Sequence, residues 1–148
     1  MKEDVVKTLN TEINREFVEK LIRDIHEAID ILVKDASKPF EALSRAEKSE
    51  VRYYIIVLVE ALMALVYHIA RKAYGLEPHT PIQTLRLLAD RGLISNDELD
   101  DFIKLVKLRN LIVHRYWIID DKRIYKNVKE DFRKVVSFIE RIRNAFQI

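Results

Sequence analysis

A chain of 148 residues that is 49% hydrophobic is long enough for one domain with a real core and short for two. It has no cysteine, which excludes a disulfide framework, a thiolate zinc site and a cysteine nucleophile. Its 26 basic and 24 acidic residues leave a net charge of +2, far from the profile of a strongly basic nucleic-acid binder, so any such contact should be local and transient.

The first ten residues are charged and lack the apolar stretch and small-residue cleavage site of a signal peptide, so a cytoplasmic protein is expected. Ile13, Phe17, Leu21, Ile25, Ile29 and Leu32 recur at helical spacing and predict an amphipathic helix over 11–35, broken by Ser37-Lys38-Pro39. Four later sites read as capping boxes, in which a short polar side chain and a Glu or Gln three residues on satisfy each other's backbone amides. They are Ser44/Glu47, Thr80/Gln83, Ser95/Glu98 and Asn127/Glu130. Each precedes an apolar periodic segment, which predicts helices over 45–74, 81–91, 96–116 and 128–146. Pro81 suits a first helical position, and Gly75 and Gly92 fall where two of these helices must stop.

The run 51–70 raises the question of a membrane span. Arg52 and a central Glu60 argue against one, since a comparable charge costs about 2.5–3.5 kcal/mol in mid-bilayer. Residues 117–125 carry β-branched and aromatic side chains around Asp120-Asp121-Lys122 and read as an ordered loop or small hairpin. Without repeats or linkers, the expectation is a single all-α domain over 1–148, an up-and-down bundle of about five helices.

Chemistry concentrates in one octapeptide, Arg109-Asn110-Leu111-Ile112-Val113-His114-Arg115-Tyr116. A guanidinium holds phosphate oxygens through several donors, and an imidazole moves protons near neutral pH. On a helix turning about 100° per residue, Arg109 falls opposite the polar stripe of Asp100, Lys104 and Lys107 and so points inward. An inward arginine needs a partner, and Glu60 is the obvious one. His114 lies roughly 140° round the axis from Arg109, so the two meet only at the edge of a cleft or across a symmetric pair of helices. The chemistry this supports is RNA cleavage by 2′-hydroxyl attack, without metal, with His114 as acid or base, Arg109 on the phosphoryl oxygens and Asn110 in support. DNA, lacking the 2′-hydroxyl, would not be cut this way. The same residues also fit a salt-bridged, hydrogen-bonded edge of a core. His26, His68 and His79 read as structural, and their spacing suggests no metal site.

Arg109-x-x-x-x-His114-x-Tyr116, with Asn110 after the arginine, resembles the R-x4-H-x-Y signature of the HEPN superfamily, in its HepT-like toxin branch. Arg52-Tyr53, Glu60, His68-Ile69-Ala70, the 85–94 segment and Val113-His114-Arg115-Tyr116-Trp117 resemble that branch too, so the likeness spans about 13–142. It implies a homodimeric, metal-independent RNase toxin needing no cofactor, with Arg109 and His114 as the catalytic pair. It also implies a small nucleotidyltransferase antitoxin of the MNT type that transfers AMP from ATP to Tyr116. The alternative is a non-catalytic helical module that docks on such a nucleotidyltransferase, with Arg109 and His114 as packing or docking residues.

Overall fold

Asn14 opens the first helix by accepting a hydrogen bond from the Phe17 amide with its side chain, 3.1 Å away. The computed structural model describes residues 12–114, 118–129 and 132–148. Within them the chain forms α1 (Arg15–Ala36), a 3-10 turn (Phe40–Ala42), α2 (Arg45–Lys72), α3 (Pro81–Asp90), α4 (Asn96–His114), α5 (Asp121–Lys129) and α6 (Arg133–Phe146). Among the described residues there is no strand, so the all-α expectation holds.

The predicted start signals act mostly as written. Ser44 and Glu47 form a reciprocal capping box at α2, and Ser95 and Glu98 do the same at the head of α4. At α3 the box is half made: Thr80 accepts from the Gln83 amide, while Gln83 reaches one residue further back to the His79 amide. The stop signals hold as well. Gly75 (φ 64°) and Gly92 (φ 81°) take the left-handed conformation that ends a helix, and the next residue in each case bonds back to a carbonyl in the last helical turns.

Packing makes α2 the central element. α1 lies along it, and α3, α4 and α5 also contact it. Val18, Ile22, Ile25 and Leu32 of α1 meet Leu58, Leu62, Leu65 and Ile69 of α2 in a core that α4 and α6 extend through Phe102 and Phe138. Removing one of these leucines should cost about 2–5 kcal/mol. α2 is long and apolar enough to cross a membrane, but half of that apolar stretch is buried against the rest of the protein, as in the core helix of a bundle.

Four expectations need correction. The described residues hold six helices instead of five, because 121–129 is a helix and neither loop nor hairpin. Asp120 caps its start: the carboxylate accepts from the Lys122 and Arg123 amides, a bonding pattern that a helix start can use as readily as a turn. Asn127 consequently sits inside α5, donating its side-chain amide to the Arg123 carbonyl, and caps nothing; its supposed partner Glu130 lies outside the described residues. The last helix starts at Arg133, not at 128. Phe17, on the apolar face of the first predicted amphipathic helix, is 39% exposed and lays its ring edge-on to His68.

Candidate functional site

α4 is held at its head before it presents any chemistry. At its head Glu98, almost fully buried, accepts from the Ser95 amide and from Arg141 of α6, 2.6 Å away. The same guanidinium donates to the Leu93 carbonyl, so α6 fixes both the start of α4 and the loop before it. Phe102, Val106 and Ile112 then bury one face of the helix and set its rotation.

That rotation decides where the octapeptide goes. Arg109 reaches α2 and forms an ion pair with Glu60 through Nη2, while its Nη1 donates to the side-chain oxygen of Asn110 at 2.9 Å. The partner expected from the sequence is therefore the partner found. The depth differs from the expectation, however. The Arg109 side chain is 27% exposed and Glu60 is 52% exposed, so the pair sits at the rim of the core and not inside it. A pair in that setting has low net energetic worth, and its main effect is to aim the guanidinium.

His114 ends α4 with its side chain exposed, and makes no hydrogen bond or ion pair among the described residues. The structure thus brings Arg109, Asn110 and Glu60 together and leaves His114 a little over one turn further along α4, facing solvent. Tyr116, expected to accept AMP, lies outside the described residues. Among the described residues no three His, Asp or Glu side chains gather as a metal site would require.

Other residues shape this region although sequence alone assigned them no role at the site. Arg52 of α2 pairs with Asp121 at the start of α5 and also donates to Ser49, so α5 is clipped to α2 by its first turn. Tyr125 of α5 donates its hydroxyl to the Lys38 carbonyl and packs edge-on to Phe40, 5.7 Å between ring centres. Beside Glu60, two shallow grooves flank the exposed Tyr67 of α2. An isolated aromatic on an apolar helix carries no sequence signal of such a setting, since exposure depends on which face its neighbours leave uncovered.

Comparison with known proteins agrees with the all-α fold and with the family resemblance. A protein of Archaeoglobus fulgidus provisionally named an RNase is 25% identical over 122 residues, 82% of this chain and 92% of that protein. Among solved structures, YutE of Bacillus subtilis, a cytosolic protein of unknown function, superposes with a TM-score of 0.80 at 17% identity over 92% of each chain. A tri-AMPylated HEPN toxin of Shewanella oneidensis, solved in complex with MNT antitoxin, gives a TM-score of 0.78 at 22% identity, covering 86% of this chain and 97% of that one. At such identities the structural likeness speaks for the fold alone. The family profile described as Ribonuclease HepT-like matches residues 21–142, and the chain belongs to the HepT-like ribonuclease family.

Proposed function

We propose that this protein is a metal-independent endoribonuclease toxin whose site is built on Arg109 and His114. The observation that carries this reading is Arg109, held at the rim of the bundle by Glu60 and Asn110, with an exposed imidazole on the same helix. In the reaction the RNA 2′-oxygen attacks the adjacent phosphorus and the bond to the 5′-oxygen breaks. His114 takes the 2′-hydroxyl proton or supplies the one the leaving 5′-oxygen needs, and a 2′,3′-cyclic phosphate remains. Arg109 stabilises the charge that grows on the non-bridging oxygens, and Asn110 holds the guanidinium in place.

A single protomer offers one Arg109 and one His114, on different sides of α4. A homodimer brings two copies of each to one cleft. The outward stripe of α2 favours such pairing: Tyr53 is 59% exposed, and Ile56 and Val57 beside it are only partly covered. The toxin acts in the cytoplasm, and its partner is an MNT-type nucleotidyltransferase that transfers AMP to Tyr116, as the pairing of the Shewanella oneidensis toxin with its MNT antitoxin suggests. An added phosphate near Arg109 would compete for the guanidinium and block RNA.

The test is cleavage of single-stranded RNA in EDTA by the parent, Arg109→Ala and His114→Ala. We expect each substitution to lower turnover by about 10²-fold or more while leaving the fold intact. Protein purified with its nucleotidyltransferase should carry AMP mass increments on Tyr116 and cut no RNA. A second reading has one observation in its favour, that Arg109 is already engaged by Glu60 as a structural arginine would be. On that reading the chain is a docking partner of the nucleotidyltransferase, and both variants would turn over RNA at the parent's rate.

A further inference from the structure

Glu60, which holds Arg109, also stands at the end of a groove of about 440 Å³ between α2 and the start of α3, lined by Met63, Tyr67, His79, Thr80 and Thr84 among others. On the other side of Tyr67 a second groove, about 310 Å³, lies between α2 and the first turn of α1, lined by Phe17, His68, Arg71 and Lys72. Tyr67 is the ridge between them, 42% exposed, two turns of helix from Glu60 and so about 10 Å along the axis. The Arg71 guanidinium lies over the Tyr67 ring at 5.7 Å and donates to its hydroxyl at 3.4 Å.

The chemistry of this strip is one-sided. Among the described residues, Arg71 and Lys72 are exposed cations with no carboxylate partner, and the one carboxylate lining either groove, Glu60, is already paired with Arg109. An exposed aromatic ring flanked by cations, in a shallow groove leading away from a guanidinium, fits a strand whose bases stack and whose backbone is anionic. A structured duplex fits less well, because neither groove is large and the rings stand singly. We propose that Tyr67 and Arg71 form a subsite for single-stranded RNA next to the scissile phosphate, with a base stacked on Tyr67 and a phosphate on Arg71 or Lys72. The choice of ligand rests on the RNA reading of the Arg109 site.

The subsite is tested by fluorescence anisotropy with a 5′-labelled twelve-nucleotide uridine RNA, on protein carrying His114→Ala so that the probe stays whole. Tyr67→Ala should weaken binding about ten-fold, and Tyr67→Phe, which keeps the ring, should bind within about two-fold of the background. Arg71→Ala should weaken binding and lower the salt dependence by about one phosphate contact. In cleavage by otherwise wild-type protein, Tyr67→Ala should raise KM more than it lowers kcat. Equal binding by Tyr67→Ala and its background overturns the proposal. So does conversion of Tyr67→Ala to a monomer on sedimentation, which would give this face to a second copy of the chain. Loss of nucleotidyltransferase binding with RNA binding intact overturns it as well and assigns the face to that protein. If the parent binds the RNA through Tyr67 yet cuts none, the cleavage reading fails while the subsite stands.

Discussion

Asp35 sits in a setting unfavourable to its charge. It lies 1% exposed near the end of α1, with Oδ2 buried and unpaired among the described residues. Burial, and then the neighbouring Glu50 carboxylate, push its carboxyl up from 3.8 to about 6. The folded state therefore holds this proton more tightly than the unfolded chain, and stability falls as pH rises from about 4 through 6. Asp35→Asn should raise Tm by roughly 3–8 °C at pH 8, with the gain vanishing below pH 4, which a thermal melt at each pH would read. An unchanged Tm at pH 8 would mean that the carboxylate is solvated or paired after all.

Two other groups work in the opposite sense. Glu47 is held down to about 2 by the Lys38 ammonium and the Ser44 amide, so its contribution is present above pH 4.5 and lost as pH falls toward 2. Burial and then Lys72 lower His68, which keeps its Nε2 free to accept from the Asn14 amide at 3.1 Å. That contribution is present above about pH 6.5 and fades as acid protonates the ring. The Arg109–Glu60 pair belongs at this scale too. A helical wheel told that Arg109 turns away from the polar stripe and that Glu60 is the partner at hand, but it could not give depth. Depth depends on how closely neighbouring helices pack around the pair.

At the scale of the element, local chemistry was mostly readable because it is satisfied locally. A serine and a glutamate three residues apart complete each other's hydrogen bonds whatever the rest of the chain does, and at Ser44 and Ser95 they do so here. The failure at α5 is instructive for the same reason. Asp120-Asp121-Lys122 is compatible with either a turn or a helix start, and the choice fell to contacts distant in sequence: Arg52 on Asp121, and Tyr125 on the Lys38 carbonyl. Ile124 and Val128 then find the core from a helix, where a hairpin would have put them elsewhere. Asp120→Ala removes the cap and should cost about 1 kcal/mol, seen as a lower urea midpoint with the slope unchanged. No change in midpoint would show that the two long-range contacts alone hold α5.

At the scale of the whole molecule, the question is what covers the outer stripe of α2. Tyr53 at 59% exposure is large for an aromatic beside partly covered Ile56 and Val57, and a second copy is the proposed cover. Sedimentation equilibrium should give a mass of two chains, each 17.6 kDa, and a Tm that rises with protein concentration. Tyr53→Asp, which sets a charge on that stripe without touching the core, should give a folded monomer with RNA cleavage lost. A monomeric parent that still cleaves RNA would show that one protomer suffices.

The sequence by itself determined the helical class, most helix boundaries, the two glycine stops and the octapeptide with its family signature, because periodicity, capping and motif spacing are properties of neighbouring residues. Tertiary structure alone decided that 121–129 is a helix, that Phe17 leaves the core, that Glu60 and Arg109 meet at a rim, and that Tyr67 stands between two grooves. Each of these depends on which helix faces are left uncovered once α1, α3, α4 and α5 have packed around α2, and exposure of that kind is a property of the assembly and not of any segment in it.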